Sequence, residues 1–307
     1  MTGLKDSCQL QLIPPEEWHI LRDLYKRNWP ENIMTYYTLQ NYIEWLVKNP
    51  LLDDIHIYSV DDKWREHGTY ILKDHNGLRY NVLFNTLDAA NQSLMLAALR
   101  YLERETAFTL TAFVERVKPA ALKFLHDFRI TNLKGDCYCP TLLYYLPKEQ
   151  GLQLKLEPLS DFVVKPLTPD LTQQIDDAWP HQYPGSNILI RQLISYNMNF
   201  GIFEQQTNKL CAWVMHLELG CIGLLHVHDQ YKRRGFGEHL VRLLAMKLAE
   251  RGIDATATVM DTNVPSGNLF KKLGFRVIDR AYWYDKPAFY FISEPQTNVE
   301  MMSLKHG

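Results

Sequence analysis

The fold is decided by the stretch Cys221-Ile222-Gly223-Leu224-Leu225-His226-Val227-His228-Asp229-Gln230-Tyr231-Lys232-Arg233-Arg234-Gly235-Phe236-Gly237. An apolar strand runs into a basic turn, and an amphipathic helix begins at the first glycine of the Gly235-Phe236-Gly237 triplet. That helix carries its apolar stripe at Leu240, Leu243, Leu244 and Leu248. Since the first N–H groups of a helix lack internal partners and its dipole adds positive charge there, the turn is suited to a phosphate.

The composition of the turn strengthens this interpretation. Gly235 and Gly237 have no Cβ, so an anion can approach the main chain closely. Lys232, Arg233 and Arg234 add full positive charges that pair well with phosphate oxygens. The spacing matches neither the P-loop pattern GxxxxGK[ST] nor the dinucleotide-binding pattern GxGxxG. The sequence therefore predicts a phosphate site of a different kind.

Working outward from this stretch, hydrophobic periodicity predicts the order β-α-α-β-β-β-α-β-α-β in each half of the chain. In the first half we expect a second helix after Thr38, with Thr38 as its N-cap, and a long helix from Asp88 to about residue 104. A turn is expected at His75-Asn76-Gly77. Predicted strands cover 9–12, 55–60, 68–73, 79–84, 108–113 and 142–146, then 162–167, 201–205, 211–217, 221–227, 255–260 and 276–284.

The two halves resemble each other at a fixed offset of 147 positions. His126-Asp127-Phe128-Arg129-Ile130 corresponds to Leu273-Gly274-Phe275-Arg276-Val277, and Asp88 corresponds to Gly235. The repeated order favours a duplication, with a chance echo of short apolar segments as the alternative. We predict an α/β (mixed α+β) fold of two tandem domains, 1–150 and 161–307, each a mixed twisted sheet flanked by helices. The join falls in the polar segment 148–160.

Bulk properties exclude several classes of protein. The 307 residues are 46% hydrophobic and 22% charged, with a net charge of −2, so neither nucleic acid nor an anionic membrane is an expected partner. The eleven histidines show no metal-site spacing, so we expect no metal. Five cysteines are too few for a secreted disulfide framework. With neither a signal peptide nor an apolar membrane span evident, we expect a cytoplasmic protein, and a mitochondrial location is also compatible.

Two motifs together resemble the GNAT superfamily of acyl-CoA-dependent N-acyltransferases. The first is Lys232-Arg233-Arg234-Gly235-Phe236-Gly237, which is similar to [Q/R]xxGx[G/A] with lysine in the first place. The second is Asn263-Val264-Pro265-Ser266-Gly267-Asn268-Leu269-Phe270-Lys271-Lys272-Leu273-Gly274-Phe275, which is similar to NxxSxxLYxKLGF. The resemblance covers about residues 164–292. The tandem arrangement looks most like the glycine N-acyltransferase-like branch, whose N-terminal half is a degenerate GNAT fold.

That resemblance implies acyl-CoA or acetyl-CoA as co-substrate and assigns residues to it. Backbone groups near Leu225 and Val227 would pair with the pantetheine arm, and the amides of 233–238 would hold the pyrophosphate. The acyl carbonyl would lie between the strands at 221–227 and 255–260. The full implied set is Leu225, Val227, Lys232, Arg233, Arg234, Gly235, Phe236, Gly237, Glu238, Asn263, Ser266 and Phe270. The first half has Asn85-Thr86-Leu87-Asp88 at the equivalent turn, without glycines or bases, so it should not bind coenzyme A.

The catalytic assignment is less direct because the chain departs from the family pattern twice. Phe270 occupies the place where many relatives have a tyrosine acid, and Tyr282 or Tyr284 could substitute. Cys221 occupies the place of the glutamate base of glycine N-acyltransferases. The remaining candidates for a base are three residues on or beside the same strand: Glu218, His226 and His228.

These observations favour transfer of an acyl group to a small amine or amino acid such as glycine. Acetylation of a protein N-terminus or lysine is one alternative, and a catalytically weak acyl-CoA-binding protein is another. If the first domain closes the acceptor groove, a small acceptor is favoured. If the groove is open and acidic, a protein acceptor is favoured. The loop at Trp179-Pro180-His181-Gln182-Tyr183-Pro184 borders the acceptor side in the family.

Overall fold

The computed structural model describes residues 10–76, 79–104, 107–127 and 138–286 of the chain. Within these ranges twelve strands form one mixed sheet with helices packed against it. The strands are β1 (Gln11–Ile13), β2 (Ile55–Ser59), β3 (Tyr70–Asn76), β4 (Arg79–Asn85), β5 (Phe108–Val114), β6 (Tyr138–Leu146), β7 (Phe162–Lys165), β8 (Asn199–Glu204), β9 (Leu210–His216), β10 (Ile222–Val227), β11 (Ala255–Met260) and β12 (Arg276–Lys286).

The helices are α1 (Trp18–Leu24), α2 (Ile33–Lys48), α3 (Trp64–His67), α4 (Gln92–Leu99), α5 (Lys118–Asp127), α6 (Lys148–Gly151), α7 (Thr172–Asp177), α8 (Ser186–Tyr196), α9 (Phe236–Glu250) and α10 (Val264–Lys272). Eight of the helices in the described ranges follow the predicted order, and two short ones, α3 and α6, were not predicted. The predicted α/β class, a mixed sheet flanked by helices, is confirmed. No helix of the described ranges is long and apolar enough to cross a membrane.

The order of the strands shows how the halves are joined. The sheet runs β1-β2-β3-β4-β5-β12-β6-β11-β10-β9-β8-β7. Strand β6 belongs to the first half by sequence, yet it pairs with β11 over six residues. Strand β12 belongs to the second half, yet it pairs with β5 as well as with β6. Each half therefore contributes its last strand to the sheet of the other half. The arrangement is symmetric: if each strand of the first half is replaced by the equivalent strand of the second half, and the reverse, the same order is read from the other edge of the sheet.

Two predicted helix starts are wrong. Thr38 is buried in the middle of α2, which begins at Ile33, because the apolar face continues upstream through Met34 and Tyr37. The helix expected from Asp88 is short: α4 begins only at Gln92, and a 3₁₀ segment follows it. The Asp88 carboxylate accepts a hydrogen bond from the amide of Ala90 at 2.8 Å, which stabilises a turn in place of a helix start.

Several predicted features fall partly outside the described residues. They include Gly77 of the expected turn and Phe128 to Ile130 of the echo segment. Elsewhere the offset of 147 is repeated by the elements themselves, since β5 begins at Phe108 and β11 at Ala255.

The halves are locked together at the hairpin between β9 and β10. Gly220, at the tip, lies against Tyr37 of α2 so closely that an added Cβ would stand 2.2 Å from the Tyr37 Cβ. The Tyr37 hydroxyl accepts the amide N–H of Asp254 at 2.9 Å, and the Trp29 indole donates to the Asp254 carboxylate at 2.9 Å. The hairpin that precedes β10 is thereby enclosed by the first half.

Candidate active site

The turn before α9 has the conformation that glycine permits. Gly235 has φ 79° and lies in open space, with no atom within 4 Å of the point where a Cβ would stand. Arg233, two residues earlier, is also left-handed at φ 63°. Alternation of left-handed residues before a helix curves the backbone so that its amides converge. The chain therefore folds here into a concave surface rather than continuing straight into the helix.

The amides at this surface are available for an anion. No side chain caps the first turn of α9, and His239 makes the first backbone bond, to the Gly235 carbonyl at 2.9 Å. A Cβ on Gly237 would lie 3.7 Å from Val227 and 3.8 Å from Leu225, which is ordinary contact, so neighbouring protein atoms do not require glycine at this position. The missing side chain instead leaves room directly over the helix N-terminus.

The basic residues of the turn have different environments. Lys232 forms an exposed ion pair with Asp229 at 2.5 Å. Arg233 and Arg234 are exposed and form no ion pair with any described carboxylate. The Glu238 carboxylate is held by Arg242 at 2.8 Å and Lys272 at 2.6 Å, and these contacts lower its pKa. The negative charge nearest the helix start is thus neutralised, which keeps the turn electropositive.

Beside the turn, strands β10 and β11 diverge. They are parallel neighbours, and they pair at a single position, Ile222 opposite Ala257. Strand β10 is irregular between Gly223 and His226, with Leu224 at φ 47°. Strand β11 remains regular and pairs with β6 along its whole length. The result is a slot that opens between β10 and β11 towards the N-terminus of α9.

The second motif forms α10, which covers β11. The Asn263 side chain caps the helix by accepting the Ser266 amide at 3.2 Å, so these two residues have a structural role in starting the helix. Phe270 is buried and packs against the rings of Tyr144 and Phe275, with centroids 5.7 and 5.1 Å away. Phe236 is likewise buried, so any contact it makes with a phosphate would be through its amide.

Glu218 lies in the enclosed hairpin between β9 and β10. It is 8% exposed, and its Oε2 has no hydrogen-bond partner. Burial, with a further contribution from the charge of Asp74, raises its pKa from 4.5 to about 7. Asp74 in turn accepts a hydrogen bond from the Tyr42 hydroxyl at 2.8 Å. Glu218 is therefore a carboxyl that exchanges its proton near neutral pH.

His226 and His228 lie at the opposite end of β10. Both rings pack on Trp213, His226 stacked at 4.4 Å between centroids and His228 edge-on at 5.2 Å. Desolvation lowers both pKa values, and the neighbouring charges of His228 and Lys232 lower that of His226 further. At about 3.3 Å per strand residue, the five steps from Cys221 to His226 span roughly 16 Å, and Glu218 lies beyond Cys221 in the hairpin. The structure therefore does not bring Glu218 together with the two histidines.

The other candidate groups are accounted for by structural contacts. Cys221 is fully buried beside Thr256, and burial raises the pKa of its thiol to about 12, so it is not a nucleophile. Tyr282 contacts Glu115 and Lys118 of the first half, and Tyr284 is buried in the core. Both tyrosines lie on β12, which the strand exchange places beside β5. Within the described ranges no group of side chains could hold a metal ion.

Residues of the first half contribute to this region in a way that sequence patterns did not indicate. The Arg79 guanidinium of β4 lies 3.4 Å from the ring centre of Tyr183, in the loop between α7 and α8. Arg79 also pairs with Asp285 at 3.2 Å. Asp74 and Tyr42 flank Glu218, as described above. Since these pairs lie more than 100 positions apart in the chain, no local spacing could have revealed them.

Comparison with solved structures agrees with the tandem architecture. A Drosophila protein solved by X-ray crystallography matches 90% of this chain and 97% of its own, with 22% identity and a TM-score of 0.80. A tandem GNAT protein from the clavulanic acid biosynthesis pathway matches 94% of this chain and 100% of its own, with 12% identity and a TM-score of 0.54. A GCN5-related N-acetyltransferase from Sphaerobacter thermophilus covers 92% and 96%, with 10% identity and a TM-score of 0.52.

Comparison at the sequence level is more restricted. No curated protein matches the chain. Residues 199–284 match the model of the FR47-like protein family, a segment that begins at β8 and includes the slot, α9 and α10. The structural likenesses establish the two-domain GNAT fold, and the FR47-like segment falls within its second half.

Proposed function

We propose that the protein is an acyl-CoA-dependent N-acyltransferase whose C-terminal half binds the acyl-CoA. The observation that carries the proposal is the combination of the electropositive turn before α9 with the slot between β10 and β11. A helix N-terminus with free amides and unpaired arginines suits a pyrophosphate. An adjoining slot whose walls are strand edges suits an extended arm that contains amides, because strand N–H and C=O groups require partners.

The implied coenzyme A residues fit this proposal to different degrees. Arg233, Arg234, Gly235 and Gly237 line the turn directly, and Leu225 and Val227 flank the point where the slot meets it. Lys232 and Glu238 act through charge, in view of their ion pairs. Asn263, Ser266 and Phe270 would act indirectly, by fixing α10 over β11.

We assign the role of general base to Glu218. Attack by an amine on a thioester needs a deprotonated nitrogen and correct positioning more than covalent help. A base with a pKa near 7 is well matched to neutral pH, and Glu218 meets that condition with one oxygen unpartnered. It also lies three residues before Cys221, the position of the family's glutamate. The two histidines are half-buried and stacked on Trp213, and we propose that they support the slot wall.

The acceptor we propose is a small amine or amino acid such as glycine. The first half supports this choice, because Arg79 packs on Tyr183 and thereby closes the loop between α7 and α8. Closure on that side disfavours a polypeptide lying across the site. We also propose that the functional division follows residues 1–150 and 161–307, with the phosphate turn for coenzyme A in the second part.

The test is release of free coenzyme A thiol from acetyl-CoA and benzoyl-CoA in the presence of an amino-acid panel and of peptides. Thiol release that depends on an amino acid supports the proposal, and release that depends only on peptides supports protein acetylation instead. Tight binding of acyl-CoA without thiol release with any acceptor would indicate a binding protein. Failure to bind acyl-CoA would contradict the assignment of the turn.

The chain offers matched controls for that experiment. Gly235 and Gly252 both have positive φ, at 79° and 76°, and both face open space. Gly235→Ala and Gly252→Ala should therefore each cost about 1 kcal/mol of stability. Only Gly235→Ala should weaken acyl-CoA binding. Gly237→Asp should abolish binding without loss of stability, since an acidic residue in the first turn of a helix is favourable for folding, and Gly237→Ala controls for bulk.

A further inference from the structure

We propose that Tyr144, which reaches the C-terminal half only through the strand exchange, donates a proton to the departing thiolate. The proposal rests on the acyltransferase function proposed above. It concerns a residue of the first half of the sequence, outside both motifs. Its support comes from strand register, contacts and burial around α10.

Strand register brings Tyr144 to the level of the slot. On β6, Tyr144 lies opposite Ala257 of β11. On its other side, Ala257 lies opposite Ile222 of β10, which is the last paired position before those strands diverge. Tyr144, Ala257 and Ile222 all face the core that contains α9 and α10. Tyr144 therefore lies one strand away from the closed end of the slot, on the face of the sheet that α10 covers.

Contacts with α10 fix the direction of the phenol. The Tyr144 hydroxyl lies 3.0 Å from the point where a Cβ on Gly267 would stand, so the absence of a side chain at 267 leaves room for it beside α10. The Leu269 side chain of the same helix approaches 4.0 Å from the equivalent point on Gly237, at the electropositive turn. One helix, α10, therefore contacts both the Tyr144 hydroxyl, at Gly267, and the electropositive turn, through Leu269.

The hydroxyl also lacks a structural role. Tyr144 is only 1% exposed, and no described residue forms a hydrogen bond with its hydroxyl. The Tyr144 oxygen is not among the buried side-chain atoms without a partner, so it keeps some accessible surface beside α10. Phe270, the neighbouring ring at 5.7 Å, has no hydroxyl. The Tyr144 hydroxyl is therefore able to take its hydrogen-bond partner from the substrate.

The chemistry of thioester aminolysis provides that role. The amine nitrogen attacks the carbonyl carbon and gives its proton to Glu218, the C–N bond forms, and the C–S bond breaks. The sulfur takes the bond's electron pair and receives the phenolic proton of Tyr144, which yields the free thiol. Water then returns a proton to the phenolate and accepts one from Glu218. In a buried slot an unprotonated thiolate would be costly, because desolvation disfavours the charged form.

The experiment compares Tyr144→Phe with wild type in the thiol-release assay and by calorimetric titration with coenzyme A. We expect kcat to fall about 10- to 100-fold, the low end of general-acid effects because a thiolate is a tolerable leaving group. Coenzyme A affinity and melting temperature should not fall, since no hydrogen bond of the protein is lost. Tyr145→Phe, on the same strand, removes a hydroxyl 3.4 Å from Asp254 and should leave kcat unchanged.

A second variant distinguishes proton donation from packing. In the Tyr144→Phe background, Phe270→Tyr places a hydroxyl on the adjacent ring and should restore kcat at least tenfold. The proposal for Tyr144 would be overturned if kcat is unchanged in Tyr144→Phe, or if Phe270→Tyr does not restore the lost kcat. In either case thiol release by the wild-type protein would still support the proposed acyltransferase function. Absence of thiol release from wild type itself would overturn both.

Discussion

Glu218→Gln should stabilise the protein at alkaline pH and inactivate it at the same time. The folded protein holds the pKa of Glu218 at about 7 against an ordinary value of 4.5, so its folded state retains a proton that its unfolded state releases. A carboxyl of that kind destabilises the fold progressively as pH rises from about 4.5 to 7, and the full effect remains above pH 7. Below about pH 4.5 the carboxyl is neutral in both states and contributes nothing.

The size of the effect follows from the shift. At 1.36 kcal/mol per pKa unit, a shift from 4.5 to about 7 corresponds to about 3 kcal/mol once both states have titrated. Linkage gives a wild-type cost of about 1 kcal/mol at pH 5 and about 3 kcal/mol at pH 8. The glutamine amide does not titrate. The advantage of Glu218→Gln over wild type should therefore grow by about 2 kcal/mol between these two pH values.

Urea denaturation at pH 5 and pH 8 measures this directly, with Glu157→Gln as a control at an exposed carboxyl. The free energy of unfolding should diverge between wild type and Glu218→Gln as pH rises, and the control should stay parallel to wild type. In the thiol-release assay Glu218→Gln should lose 10²- to 10⁴-fold in kcat, the usual range for a general base. If the free energies of unfolding of wild type and Glu218→Gln differ by the same amount at pH 5 and pH 8, the raised pKa of Glu218 would be refuted. Full activity of Glu218→Gln would refute the role of Glu218 as the base.

Two other positions separate function from packing. His226→Gln should lower kcat less than tenfold and leave the acid limb of the kcat/KM profile in place, because the histidine is stacked on Trp213 rather than placed at the acceptor. A hundredfold loss of kcat, together with loss in the variant of an acid limb below pH 6.5, would instead assign the role of base to His226. Gly220→Ala should destabilise the protein by about 2–4 kcal/mol, since φ is 70° and the new Cβ would stand 2.2 Å from the Tyr37 Cβ. Thermal unfolding measures the stability loss of Gly220→Ala. A loss below about 1 kcal/mol would show that the contact between Gly220 and Tyr37 adjusts to an added methyl group at little cost.

The sequence by itself determined the local chemistry of this protein. The apolar strand, the basic turn and the amphipathic helix from residue 221 onward are encoded in contiguous residues, so periodicity and turn composition were sufficient to predict β10, the glycine turn and α9. The Asn263 cap of α10 is local for the same reason, because the cap and the amide it accepts are three residues apart. Strand β11 was predicted at the bounds the structure has, residues 255–260.

Tertiary structure alone decided how the halves complete each other. Which strands become neighbours depends on burial across the whole sheet, and the periodicity of β6 or β12 does not specify whether each pairs within its own half. That choice moved Tyr282 and Tyr284 away from α10 and brought Tyr144 beneath it. The same holds for Glu218: its carboxyl resembles any other in the sequence, and only enclosure by α2 and β3 removes the water that would keep its pKa low.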